Sequence, residues 1–497
     1  MKVVRKALLN TVSSFLLQFF SIVSGLIIPR IILGVFGSET NGLVSSLSQF
    51  LNYVAILEGG LNGVIMANLY KPIVRKDTKK ISAIIYTSKR FFKKISIALV
   101  LYSISLAVIF PFFTKSTFSF EFICTLTLVL SFKLFVQYCF SFSYQNLLKA
   151  GKYAYIINFT QIIVISLDII SAVIVSHFFP SIHLLKIVSA IIFLIQPFVC
   201  SYACKKLFML EEKAREDKTL IKDRWSGLSI NIAAFVHNNT DIVILSIVTN
   251  LETVSIYGVY NLVLAGIRGV IQAVNNGLAP SIGNLYASND KKNLHRRFDE
   301  FEYINFLLTF FVFSLAILLI TPFVMVYTSE ITDADYYQPL FGIIIVLAEF
   351  SYMLREPYVR MAYMAGKFKE QNLHAYIEAF MNIVLSLSLV WKFGLVGIAI
   401  GTLLAMVYRT IFQILFLRKN ILFRSFKKFL KRFCVFFIPH GIVVVLCFLL
   451  LPITEFSIGR WILYTMVYAV IFLVLDIVVS ILFFRKELSG IIKYVRK

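Results

Sequence analysis

Apolar segments of membrane-spanning length follow one another almost without pause along this chain, and that run limits the fold before any motif is considered. A crossing needs about 20 mostly apolar residues. Lipid offers no water to a backbone N–H or C=O, so a crossing segment of this kind pairs its own backbone as a helix. The 497 residues are 59% hydrophobic and 15% charged, whereas soluble domains run near 45–50% and about 25%. Helices are expected near 9–33, 41–66, 92–114, 118–142, 154–176, 184–204, 228–249, 254–286, 304–327, 336–362, 373–393, 395–417, 433–452 and 460–484. The expected fold class is an all-α polytopic membrane protein with 14 transmembrane helices.

The formal net charge of +23 raises the possibility of a nucleic-acid partner, but its placement argues otherwise. Lys and Arg concentrate in alternate loops: 70–94, 205–225, 289–302, 418–432 and the tail 485–497. The opposite loops, such as "GSET" (37–40), "NLET" (250–253) and "TSEITDAD" (328–335), are short and nearly free of Lys and Arg. That is the positive-inside pattern, and it puts both termini in the cytoplasm. The opening "MKVVRKALL" has the charge of a signal peptide but no small-residue cleavage site, so a retained first helix is expected. The six cysteines lie inside or at the edges of apolar segments, and "CSYAC" (200–204) has no nearby His. They read as small apolar residues, with no metal, cofactor or disulfide expected.

The chain also repeats itself. "GLVSSLSQFLNYVAILEGGLNGVIMANLY" (42–70) and "GVYNLVLAGIRGVIQAVNNGLAPSIGNLY" (258–286) align without a gap, 216 residues apart. AGK follows the fourth expected helix at 150–152 and the tenth at 365–367, an offset of 215. Helices 1–6 and 7–12 therefore read as two six-helix lobes in tandem parallel repeat, related by an axis along the membrane normal, with a shared site between them. Two extra C-terminal helices fall outside the repeat. The expected limits are 1–204 for the N-lobe, 205–227 for a cytoplasmic linker, 228–417 for the C-lobe and 418–497 for helices 13–14 with the basic tail.

Charge at bilayer depth costs roughly 2.5–3.5 kcal/mol and marks pathways. Lys133 and Arg268 lie deepest, with no opposite charge within four residues on their own helices. Arg355 has Glu356 beside it, but neighbours at i, i+1 do not share a helix face. Arg360 stands four residues after Glu356 and pairs with it or joins the same pocket. Arg409 and Glu378, nearer helix ends, read as snorkelling to headgroups, as does Arg30. Asp476, in an extra helix, is expected to meet a basic neighbour. Lys133, Arg268, Arg355 and Arg360 would together make a pocket for an anion, and the forked guanidinium suits phosphate. Glu58, Asp168 and Asp241 are the acids at depth that could couple transport to H⁺ or Na⁺.

Stretch 25–77, with "GLIIPRIILGVFGSETNGLVSSLSQFLNYV" at its start, resembles the multidrug/oligosaccharidyl-lipid/polysaccharide exporter superfamily. Within it, the chain is similar to the bacterial polysaccharide transporters, the O-antigen and capsular repeat-unit flippases (Wzx type). "NNTDIVILSIV" (238–248) resembles the family's acidic helix-7 segment, which places Asp241 there. The resemblance implies a flippase of the bacterial cytoplasmic membrane that exports undecaprenyl-diphosphate-linked oligosaccharide by alternating access, driven by an ion gradient or membrane potential. Flippases for teichoic-acid units or peptidoglycan precursors, and multidrug cation antiporters, are the alternatives it carries. No GxxxxGK[ST] loop is present. A membrane enzyme would need a large external loop for its catalytic groups, and the longest outer loop spans about ten residues. A drug-cation exporter would want an acidic cavity, which Lys133, Arg268 and Arg355 oppose. Duplicated lobes suit alternating access better than a channel.

Overall fold

The structure, a computed structural model, describes residues 2–58, 61–211, 239–288 and 290–495. Most of the expected linker, from 212 on, and the start of the expected seventh helix (228–238) lie outside the described residues. Every regular element among the described residues is helical, and ten helices are long and apolar enough to cross a membrane.

Two of the ten, Leu8–Ile56 and Glu370–Asn420, are 49 and 51 residues long. At 1.5 Å per residue each would be about 75 Å, more than twice the hydrocarbon thickness. Each is broken at one glycine. Gly37 has φ 82° and Gly394 φ 54°, backbone settings that an L side chain rarely adopts. The stretch expected as an outer loop at 37–40 is therefore a one-residue break in a helix. The expected cytoplasmic loops also shrink. Only Lys76 and Asp77 separate the helices on either side of 70–94, and much of 289–302 and 418–432 is helical. Hydropathy reports where lipid ends; a helix of Lys, Arg and Glu continues past that point because these residues are good helix formers.

The chain divides into two compact units, Met1–Ser255 and Ile256–Lys497. The first holds α1 (Lys2–Asn52), a 3₁₀ turn (Tyr53–Glu58), α2 (Leu61–Arg75), α3 (Thr78–Phe113) and α4 (Phe120–Val136). A π-helical turn (Gln137–Ser141) joins α4 to α5 (Phe142–Ala150), followed by α6 (Ala154–Phe178), α7 (Ile182–Phe193) and α8 (Ile195–Phe208). The helix α9 (Asn239–Val248) and the start of α10 (Leu251–Ala287) complete it. Serine caps set two of the starts: Ser119 accepts from Phe122 N–H and Ser181 from Leu184 N–H, satisfying first-turn donors. The core is built on α2, α3, α5 and α8, with Phe92, Leu99 and Leu147 fully enclosed, and α1 packs along α6.

The second unit holds the rest of α10, α11 (Lys291–Tyr327), α12 (Pro339–Leu354), α13 (Glu356–Met364) and α14 (Phe368–Asn420). It ends with α15 (Phe426–Leu450), α16 (Ile458–Phe483) and α17 (Arg485–Val495). α11 is its central post, packed against α12, α15 and α16. Phe306, Phe310 and Phe436 form the aromatic contact between α11 and α15, the last two stacked at 5.4 Å.

Candidate functional site

The second unit carries a connected group of charges. Arg268 of α10 reaches Glu349 of α12, Nη1 to Oε1 at 3.1 Å. Arg355 occupies the break between α12 and α13, where the helix pauses for one residue. Its Nη1 lies 2.6 Å from Glu378 Oε1 on α14, and its guanidinium sits 4.6 Å from the centre of the Tyr352 ring. Arg409, further along α14, approaches the other Glu378 oxygen at 3.7 Å and donates to the Gln371 carbonyl at 3.1 Å. Arg360 donates to Glu356 at 2.8 Å and to Asn276 of α10 at 2.6 Å. Four guanidiniums (268, 355, 360, 409) face three carboxylates (349, 356, 378), which leaves one net positive charge at ordinary ionisation.

Within this group the arginines divide. Arg355 and Arg409 are buried and share one carboxylate. Arg268 and Arg360 each keep 20% of the side chain exposed. The first two are enclosed within the unit; the second two are partly exposed. Arg409 and Glu378, expected to snorkel apart towards headgroups, instead meet each other inside the unit.

The first unit holds a smaller group. Lys133 of α4 places Nζ 5.2 Å from the centre of the Phe193 ring on α7. Lys186, also on α7, is within electrostatic reach of both Lys133 and Asp168 of α6. Two lysines against one aspartate again leave a net charge of +1. Lys186 escaped the sequence reading because it sits one turn from a helix start, where a flanking lysine is unremarkable.

The other two acids lie elsewhere in the first unit. Glu58 ends the 3₁₀ turn and accepts from Tyr138 OH at 2.5 Å and from Asn62 Nδ2 at 2.8 Å. Asn146 donates in turn to Asn62 Oδ1 at 2.8 Å. Tyr138 stands on the π-helical turn, which rotates the following residues relative to a regular α4 and brings the hydroxyl to the carboxylate. Asp241 is buried near the start of α9, close to Tyr53 and Thr240. No group of three or more His, Cys, Asp or Glu suited to a metal occurs among the described residues.

A second ionic centre was not legible in sequence. Glu302 of α11 is fully buried and meets Arg432 of α15, Tyr358 of α13 and Arg424 of the turn before α15, the last at 2.7 Å. Arg432 also binds Glu487 of α17 at 2.7 Å. Burial works against the charge of Arg424, and Glu302 outweighs it, so the guanidinium is held above its ordinary value. Both Glu302 and Arg432 fall in stretches that read as basic loops.

No family model and no curated protein matches the sequence. Solved structures do. The chain has the fold of polytopic transporters: it superposes on "Lipid II flippase MurJ, inward closed conformation" with a TM-score of 0.72 at 15% identity, covering 97% of this chain and 100% of that one. An inward-facing multidrug-resistance MATE transporter of the MOP superfamily matches with a TM-score of 0.62 at 16% identity, over 80% of this chain and 94% of that one. The Vibrio cholerae MATE transporter VcmN, in its bent form, gives 0.57 at 12% identity, over 83% and 96%.

Proposed function

We propose that this chain is a flippase that carries undecaprenyl-diphosphate-linked oligosaccharide repeat units across the bacterial cytoplasmic membrane for surface polysaccharide assembly. The observation that carries the reading is the arginine group of the second unit: two reachable guanidiniums, Arg268 and Arg360, stiffened by carboxylates on neighbouring helices and backed by the buried Arg355–Glu378–Arg409 cluster. A diphosphate takes forked, charge-assisted contacts from arginine. Lys133, beside Lys186, offers a second cationic position in the first unit. Drug cations would be repelled by either group.

The extent of the structural matches supports a lipid-linked substrate over a drug. The lipid II flippase covers nearly the whole chain, while the MATE transporters named above leave roughly a fifth of it unmatched. In this reading the glycine-broken helices each cross twice, and α9 and the α12–α13 pair each provide one more crossing, which takes the ten candidates to fourteen. They form two six-helix lobes and a final pair, with both termini cytoplasmic. Glu58, Asp168 and Asp241 are the candidates for coupling to H⁺ or Na⁺.

Complementation of a flippase-null strain, with surface expression checked, tests the assignment. Each charge-assisted phosphate contact contributes about 1.5–3 kcal/mol, so Arg268→Ala should reduce export by roughly one to two orders of magnitude. Arg268→Lys should restore part of it, because the charge returns without the fork. Wild-type export by both Arg268→Ala and Lys133→Ala would exclude the anion site. The lipid-linked sugar that accumulates on the cytoplasmic face after deletion separates a polysaccharide unit from a teichoic-acid unit or peptidoglycan precursor.

A further inference from the structure

One buried polar pair takes no part in either charge group. His440 of α15 and Asp476 of α16 are 2% and 5% exposed. His440 Nδ1 lies 2.8 Å from the carbonyl oxygen of Phe436 on its own helix. A carbonyl oxygen can only accept, so Nδ1 carries a hydrogen. On the far side of the ring, Nε2 faces Asp476 Oδ1 at 3.3 Å, and neither atom has any other hydrogen-bond partner among the described residues.

That arrangement fixes a proton count. An imidazole protonated only at Nδ1 presents a lone pair at Nε2, and an ionised carboxylate presents lone pairs at Oδ1. The two would then repel across 3.3 Å in a place without water-facing alternatives. One added proton removes the conflict, whether it sits on nitrogen as an imidazolium beside a carboxylate or on oxygen as a carboxylic acid donating to nitrogen. Both descriptions have the same composition. The other tautomer, with hydrogen on Nε2, would set a bare Nδ1 against the Phe436 carbonyl.

No other charged group touches the pair among the described residues. α16 stacks Phe472 on the imidazole at 5.7 Å, and α11 supplies Phe310 at 5.4 Å. The ring forms part of the wall of an apolar cavity of about 410 Å³, across which α12 presents Phe350. The polar groups nearby are Ser314 of α11, in the wall of the same cavity, Tyr303 of α11, whose hydroxyl donates to Ser480 of α16 at 2.6 Å, and Arg432, two turns back along α15 and held by Glu302 and Glu487. Pro439 precedes the histidine directly and has no N–H to give to the turn before it, so α15 is weakest beside the pair.

We propose that His440 and Asp476 form a proton-binding site that holds one proton between Nε2 and Oδ1 and joins α15 to α16 while it is bound. Loss of the proton turns this joint into a repulsive contact at a proline-weakened point. The site lies outside the arginine group and does not depend on the substrate assigned above.

The full-length chain in lipid nanodiscs, labelled with [¹⁵N]histidine, reads the site directly, since the chain has six histidines. His440 is assigned by its loss in His440→Gln or by its displacement in Asp476→Asn, so either variant suffices if the other does not fold. The expected wild-type spectrum shows Nδ1 protonated throughout and a single pH step at Nε2. In Asp476→Asn that step moves to lower pH by about tenfold or more in proton concentration, the effect of removing an adjacent negative charge. A wild-type ring with hydrogen on Nε2 and a bare Nδ1 overturns the proposal. So does a step that stays where it was in Asp476→Asn.

Discussion

The two copies of the repeated segment are built differently around the two positions where their charges differ, 52/268 and 58/274. In the first, α1 stops at Asn52, a 3₁₀ turn follows to Glu58, and α2 begins at Leu61. In the second, α10 runs unbroken from Leu251 to Ala287 and carries Arg268 where the first has Asn52. The partners differ in step. At the AGK offset of 215, Glu349, which holds Arg268, corresponds to Leu134 and Tyr138 to Met353; at the offset of 216 that aligns the repeated segments, Glu58 corresponds to Val274. One copy places a hydrogen-bonded carboxylate at the break of a helix; the other places an ion pair on continuous helices. The two stretches are alike in sequence, yet each has its own polar group with that group's own partner.

The largest way to break this comparison is to remove the carboxylate shared by Arg355 and Arg409. Glu378→Gln removes the one carboxylate that both buried guanidiniums touch, and loss of one partner of a buried pair costs about 3–5 kcal/mol. Denaturant titration of the detergent-solubilised chain should show that loss, and adding Arg409→Met should recover part of it. A loss under about 1 kcal/mol would mean that Glu349 and Glu356 supply the counter-charge in its place.

A smaller effect comes from writing the second copy into the first. Asn52→Arg brings a cation without a carboxylate opposite, at a cost of roughly 2.5–3.5 kcal/mol by insertion scales. If the copies superpose, with Gly42 over Gly258, adding Leu134→Glu should return much of it. A double variant no better than Asn52→Arg alone would show that the two halves do not share a frame. The converse experiment is milder. Tyr138→Phe removes one donor to the Glu58 carboxylate and should cost about 1.5–3 kcal/mol, as hydrogen bonds to charged groups do.

These variants also mark what the sequence could and could not convey. The helical class and the unusual charges are legible in the sequence, because hydropathy and charge within an apolar stretch are local signals. Partners are not. Arg268 and Glu349 are 81 positions apart, and nothing along either helix points to the other. Arg409 and Glu378 looked like headgroup seekers because each was judged on its own helix. The Glu302–Arg432 pair was hidden for a different reason: both residues lie where helices continue past the apolar stretch, and a hydropathy profile ends there.

The smallest effect is the most direct test of register. Both AGK stretches close a helix through a left-handed residue, with a backbone N–H reaching back five residues: Tyr153 to Leu148 at 2.8 Å and Lys367 to Ala362 at 3.0 Å. The left-handed position is Lys152 (φ 62°) in the first copy and Gly366 (φ 71°) in the second. The first helix therefore runs one residue further into its motif, and the turns are 214 positions apart although the letters are 215 apart. A side chain at Gly366 would meet nothing within 4 Å, so Gly366→Ala tests the backbone alone. Left-handed strain of roughly 1–2 kcal/mol, less about 0.5–1 for the extra chain entropy of glycine, predicts a loss of about 0.5–1 kcal/mol. Lys152→Gly gives up an exposed side chain and relieves the same strain, so it should gain a similar amount. Opposite signs in paired denaturation curves would fix the one-residue slip between the copies. Losses in both would mean that Lys152 contributes through its side chain and that the two turns are not equivalent.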